Sequence, residues 1–141
     1  MRSTKLRVRS RRTIMPETER ELVIKVVAMP RDTNAGGDMF GGWIVSQMDL
    51  AGAVHARKST RSRIVTVAID NLVFHKPVFV GDCVICYAST ERIGTTSITI
   101  KVDVMVARRN GTDEEEQVTE GSFVYVAIGD DRKPIPLQPP V

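Results

Sequence analysis

The sequence predicts an α+β fold in which one antiparallel sheet of five strands curls around a single long central helix. Three observations lead there. The elements read in the order β-α-β-β-β-β. The one helical stretch is apolar on almost every side and must be enclosed rather than lie on a surface. The connections Lys76–Asp82 and Ile93–Thr96 are short enough to join antiparallel neighbours.

Each element has its own signal. Leu22 to Met29 is a β-rich run stopped by Pro30, and the Asp32–Asp38 segment that follows is turn chemistry. From Gly41 to Lys58 the chain has helical length, and Arg57 and Lys58 suit a helix C-terminus. Gly41, Gly42, Ala51, Gly52 and Ala53 would let a sheet approach it closely. Four β-runs follow: Ile64–Phe74, Cys83–Ile93, Thr96–Arg108 and Gln117–Ile128. The third alternates clearly, with Ile98, Ile100, Val102, Val104 and Val106 on one face and Thr99, Lys101 and Asp103 on the other. Asn110–Glu116 reads as an acidic, exposed turn.

Length and composition bound the function. At 141 residues there is room for one domain with a sizeable core and not for two. Hydrophobic residues are 42% and charged residues 26%, and no run reaches the ~20 apolar residues of a membrane-spanning helix. The net charge of +3 is unevenly spread. Residues 1–16 hold six Lys/Arg and no acid, which leaves 14 basic against 17 acidic residues, or −3, for the rest. The expected organisation is a basic flexible arm over 1–15, a folded domain over 16–132 and a proline-rich tail over 133–141. The arm lacks the apolar core of a secretory signal, so a cytoplasmic location is expected. None of the seven aromatic residues precedes Phe40, so the arm offers no stacking platform for nucleic acid. Cys83 and Cys86 form a CxxC, but no second Cys/His pair completes a zinc site, and they read as free, partly buried thiols.

Asp49 is the anomaly. It stands among Met48, Leu50 and Ala51 in a helix that should be enclosed, and an unpaired buried carboxylate costs several kcal/mol. It must be paired, protonated, or set in a cleft with a task. Just ahead of the helix, Asn34-Ala-Gly-Gly-Asp-Met-Phe-Gly-Gly puts four glycines next to free helix N-terminal amides that can hold a carbonyl oxygen or an anion. No Gly-Lys-Ser/Thr follows, which rejects a P-loop.

The stretch Asp32-Thr-Asn-Ala-Gly-Gly-Asp-Met-Phe-Gly-Gly-Trp-Ile-Val-Ser-Gln-Met-Asp-Leu-Ala-Gly, with Arg63-Ile-Val-Thr-Val-Ala-Ile and Phe74-His-Lys-Pro-Val-Phe-Val-Gly-Asp, resembles the short bacterial acyl-CoA thioesterases of the hotdog fold, in their YciA-like branch. The resemblance runs from about residue 20 to 130. It implies a homodimer that pairs two sheets, often a trimer of such dimers, and cofactor-free hydrolysis of acyl-CoA. The family's catalytic acid aligns with Asp49 and its loop asparagine with Asn34.

Such a reaction needs an activated water and a place for negative charge on the carbonyl oxygen. Asp49 suits the first task, as base or nucleophile, and the amides near Gly41 and Gly42 with the Asn34 side chain suit the second. Asp49 lies seven residues beyond Gly42, about 10 Å along a helix, so one carbonyl would not touch both. A site shared between two protomers is the expectation. CoA phosphates call for basic residues and hydroxyls, and the candidates are Arg63, Lys76, Arg92, Thr95 and Thr96. His55 and His75 read as capping or packing residues. Met39, Met48 and Trp43 could line an acyl pocket or fill the core, and Thr66 could serve the site or be a strand threonine. The rival readings are a hotdog hydratase or dehydratase, whose Asn-Pro-x-His signature is missing, and a non-catalytic acyl-CoA or nucleotide-binding module.

Overall fold

The computed structural model describes residues 19–141, and the arm expected over 1–15 lies outside them. The elements follow in the expected order: β1 (Glu21–Val27), α1 (Gly41–Ala56), β2 (Ile64–Phe74), β3 (Cys83–Ile93), β4 (Ser97–Ala107) and β5 (Glu115–Ala127). They form one antiparallel sheet with strand order β1-β3-β4-β5-β2. On its inner face Ile98, Ile100, Val102, Val104 and Val106 of β4 and Phe123 and Tyr125 of β5 are buried, against Ile44, Met48, Ala51, Gly52 and Ala56 of α1. Burying each large aliphatic side chain contributes roughly 1.5–3 kcal/mol. That packing holds a helix whose glycines and β-branched residues would form one poorly alone.

Two expectations are corrected. Lys76–Asp82 does not join neighbours, because β5 pairs along β2 and β3 lies three strands away. The connection crosses the end of the sheet instead, a span of about 14 Å that seven residues cover easily. It is stitched to the loop before α1, with the Met39 N–H donating to the Val78 carbonyl at 2.8 Å and a bridge between Asp38 and Phe79. The second correction concerns α1, which one chain does not enclose. The helix lies mainly against β3 and β4 and least against β2. Leu50 and Val54 are therefore more than half exposed, and Val67, Ile69, Val73 and Phe74 are exposed on β2, whose outer edge no described strand pairs.

The outer face of the sheet carries a buried polar ladder. Lys101 Nζ donates to Glu120 Oε1 at 2.7 Å, His75 Nε2 meets Glu120 Oε2 at 2.6 Å, and Gln117 donates to Asp103 at 3.0 Å. Burial alone would raise the Glu120 carboxyl, but the hydrogen bonds from Lys101 and His75 outweigh it and hold the group below its ordinary value of 4.5. A carboxyl depressed on folding adds stability above its unfolded value and loses it as pH falls through the folded one. Glu120→Gln should therefore lower stability by about 1–3 kcal/mol at pH 7 and flatten the decline below about pH 5. Urea midpoints across that range read both effects.

The tail adds no central strand but is tied down. The Ile135 N–H donates to the Ala127 carbonyl and the Leu137 N–H to the Thr95 carbonyl, both at 2.9 Å. Cys83 and Cys86 are free, and burial pushes the Cys86 thiol up to about 12, which removes it as a nucleophile. Among the described residues no helix is long and apolar enough to cross a membrane, and no group of three or more His, Cys, Asp and Glu could hold a metal.

Candidate active site

Asp49 sits half-buried in the middle of α1, and its two carboxylate oxygens have different surroundings. Oδ1 accepts from Thr66 Oγ1 at 2.7 Å and from the Tyr125 hydroxyl at 3.1 Å. Among the described residues Oδ2 has no partner. The ladder between β2 and β5 slips by one residue just after Thr66, a bulge of the kind that re-aims a side chain beside a site. Of the two readings of Thr66, the structure shows a hydrogen bond to the Asp49 carboxylate.

Tyr125 carried no sequence signal. It lies on the inner face of β5 beside Phe123, and its buried hydroxyl also reaches the Asp49 backbone carbonyl at 2.8 Å. Burial first, then the negative charge of Asp49 and the hydrogen bond to it, raise the tyrosine well above its ordinary range, so it stays a protonated donor. Gly52 makes room for it. A methyl group at that position would overlap the hydroxyl.

Tyr125→Phe should consequently lower kcat about 10-fold with KM little changed, because it frees Oδ1 to rotate. Steady-state kinetics would check this. A purely structural tyrosine would lower thermal stability and leave kcat in place.

The loop ahead of α1 builds a second group. Asn34 Oδ1 accepts the backbone N–H of Gly36 at 2.8 Å and of Asp38 at 3.1 Å, which fixes the side chain, and among the described residues its NH2 has no partner. Gly37, at φ +91°, supplies the left-handed turn this loop needs. Phe40 caps α1 without a side-chain hydrogen bond, so the first helical amides, at Gly41 and Gly42, remain available. A Cβ at Gly41 would press on Phe74 at 3.3 Å, whereas one at Gly42 would meet nothing within 4 Å among the described residues. A cavity of about 330 Å³ lies here, lined by Asn34, Met39, Gly41, Phe74, His75 and Lys76 among others.

Within one chain the two groups do not meet. The partners of Asp49 are Thr66 and Tyr125, those of Asn34 belong to its own loop, and Asp49 is absent from the cavity beside Asn34.

The five substrate-binding candidates divide. Arg63, Thr95 and Thr96 converge at one end of the sheet, where the Ile128 N–H donates to the Arg63 carbonyl and the Ala127 N–H to the Thr96 carbonyl, both at 2.9 Å. Arg92 is exposed at that end of β3, paired with Thr99 and three strands from β2. Lys76 stands at the opposite end, 3.8 Å from Glu116 and on the rim of the Asn34 cavity. The histidines take structural partners, His55 with Glu21 at 2.8 Å and His75 with Glu120. Met48 is fully buried core, while Met39 borders the cavity.

Comparison with known proteins finds relatives of this fold. The family model of the thioesterase superfamily matches residues 36–111. The chain is 47% identical over 119 residues to the acyl-CoA thioester hydrolase YciA of Salmonella typhimurium, covering 83% of this chain and 90% of that protein. It is similar to the crystal structure of a hexameric thioesterase from Yersinia pestis, with 49% identity, a TM-score of 0.78 and coverage of 83% and 94% of the two chains. A hexameric hotdog fold thioesterase of Campylobacter jejuni is similar too, at 43% identity and a TM-score of 0.77 over 84% and 90%.

Proposed function

The chain belongs to the thioesterase superfamily, with the YciA acyl-CoA thioester hydrolases, and from that premise we propose that it hydrolyses acyl-CoA to the free acid and CoA through Asp49, at a site completed across a homodimer interface. The observation that carries this reading is the unpartnered Oδ2 of a carboxylate whose other oxygen is held by Thr66 and Tyr125. Oδ2 takes a proton from water as the water oxygen attacks the thioester carbonyl, or attacks that carbon itself to give a mixed anhydride that water then opens. Negative charge on the carbonyl oxygen is held by the Asn34 NH2 and the amides at Gly41 and Gly42. Collapse breaks the C–S bond, and CoA leaves as a thiolate, a good leaving group near neutral pH. No cofactor is required.

The dimer reading has a packing argument. Among the described residues β2 presents eleven residues of unpaired edge with exposed Val67, Ile69, Val73 and Phe74, and the adjacent helix face exposes Leu50 and Val54. An edge that long and apolar invites pairing. A second copy joined antiparallel along β2 covers the bare side of α1 and brings the Gly41 end of one helix toward the Asp49 region of the other. It also brings Lys76 of one protomer toward the Arg63 end of its partner, which gathers two of the proposed CoA-binding residues; Arg92, Thr95 and Thr96 complete that proposed set. The hexameric relatives support a trimer of such dimers.

A screen of acyl-CoA chain lengths with free-thiol detection tests the activity, and absence of thiol release across the series would refute it. Removing residues 1–15 should leave turnover and oligomeric state unchanged, since the acidic remainder of the chain carries every proposed site residue. Size-exclusion chromatography and the same assay would show otherwise if the arm were an interface element.

A further inference from the structure

Three titratable residues line the cavity beside Asn34, and two of them are engaged. His75 is tied through Nε2 to Glu120 at 2.6 Å, and Lys76 stands 3.8 Å from Glu116. The third is Asp38, which is half-buried. Among the described residues its carboxylate oxygens have no hydrogen-bond or ion-pair partner.

The backbone that carries this carboxylate is closely held. The Asn34 N–H donates to the Asp38 carbonyl at 2.7 Å, and the Asp38 N–H donates to Asn34 Oδ1 at 3.1 Å. A bridge ties Asp38 to Phe79, and the next residue, Met39, is buried with its N–H on the Val78 carbonyl. Aspartate has a short side chain, so a carboxylate on that anchored backbone stays close to the Asn34 amide. The loop does not need it for its own shape. The Asn34 side chain and Gly37 make the turn, and the Asp38 carboxylate takes no part in it.

The chemistry of a mixed anhydride supplies a use. A carboxylate that attacks a thioester carbon carries the acyl group afterwards and cannot also take the proton of the water that releases it. A second base is needed for that step. The neighbours of Asp49 do not provide one, since Thr66 and Tyr125 both donate to Oδ1 and the tyrosine stays protonated.

We propose that Asp38 is that base, a further catalytic residue acting across the dimer on the acyl group held by the other protomer's Asp49. The proposal rests on the acyl-CoA hydrolase reading above and selects its anhydride branch. In the first step Asp49 Oδ2 bonds to the acyl carbon, the C–S bond breaks and CoA leaves as the thiolate. In the second, the water oxygen bonds to that carbon while one water proton passes to the Asp38 carboxylate. The bond between the acyl carbon and Oδ2 then breaks, Asp49 leaves as a carboxylate, the free acid departs, and Asp38 returns its proton to solvent. Asn34 and the amides at Gly41 and Gly42 hold the carbonyl oxygen in both steps.

Rapid-mixing measurement of thiol release from butanoyl-CoA by Asp38→Asn, with acid quenching and intact-protein mass spectrometry, tests the assignment. The variant should release about one CoA per site in a fast first phase and then turn over about 10²- to 10³-fold more slowly than wild type. The quenched protein should carry a butanoyl group that maps to the peptide containing Asp49. Asp38→Glu keeps a carboxylate and should recover part of the steady rate. Both variants should melt with wild type, because the loop's hydrogen bonds do not involve this carboxylate. Wild-type turnover in Asp38→Asn would overturn the proposal, as would loss of the first phase together with the steady rate, or slow turnover with no acyl group on the protein. Asp49→Asn measured in parallel separates this idea from the reading beneath it. If wild type releases no thiol, or Asp49→Asn releases it normally, the hydrolase site itself is wrong and the base falls with it. An inactive Asp49→Asn beside a fully active Asp38→Asn would sink the base alone.

Discussion

Asp49→Asn should cut kcat by about 10²- to 10⁴-fold while leaving the protein folded, the range expected when a general base or nucleophile is lost. The substitution is informative because of how the carboxylate is held. An asparagine keeps an Oδ1 that can accept from Thr66 and Tyr125, so the local hydrogen bonds survive and only the reactive Oδ2 is replaced. Asp49→Ala removes the acceptor as well. It leaves the Tyr125 hydroxyl with the backbone carbonyl alone and frees Thr66, so about 1–3 kcal/mol of stability should go with the activity. Thiol release under saturating acyl-CoA and thermal melts of both variants separate the two effects. Near-normal turnover of the asparagine variant would remove Asp49 from the chemistry.

Much of the fold was legible because its signals are local. The alternation of Ile98, Ile100, Val102, Val104 and Val106 is a period-2 pattern that only a strand presents to a core, and these residues are the buried centre of the sheet. Asp49 stood out because an acid in an apolar helix demands an explanation wherever the helix lies. Contacts between distant segments were less visible. Tyr125 is 76 residues from Asp49 and shares an inner strand face with Phe123, so by pattern alone it is one more core aromatic. Strand order was hidden for the same reason. The length of Lys76–Asp82 permits a neighbour or a crossing, and the choice depends on β5 occupying the inner edge of β2. The helix is apolar on more sides than its own sheet covers, so the enclosure expected from its sequence was not met within one chain, and the excess is what the proposed second protomer would cover.

The second large effect concerns Asn34. Its Oδ1 is committed to the backbone of Gly36 and Asp38, so its NH2 is the group left to meet a developing oxyanion, and one such donor is worth roughly 3 kcal/mol. Asn34→Ala should therefore lower kcat about 10²-fold. The central claim is that this amide serves the Asp49 of the other protomer. Mixing Asp49→Ala subunits with Asn34→Ala subunits tests it most directly. In a heterodimer built that way, one site holds both defects and the other holds both native residues. Random exchange makes half the dimers heterodimers with one sound site of two, so about a quarter of wild-type activity should return from two inactive preparations. No recovery, with heterodimers confirmed by native mass spectrometry, would mean that Asp49 and Asn34 act within a single chain, contrary to the shared site.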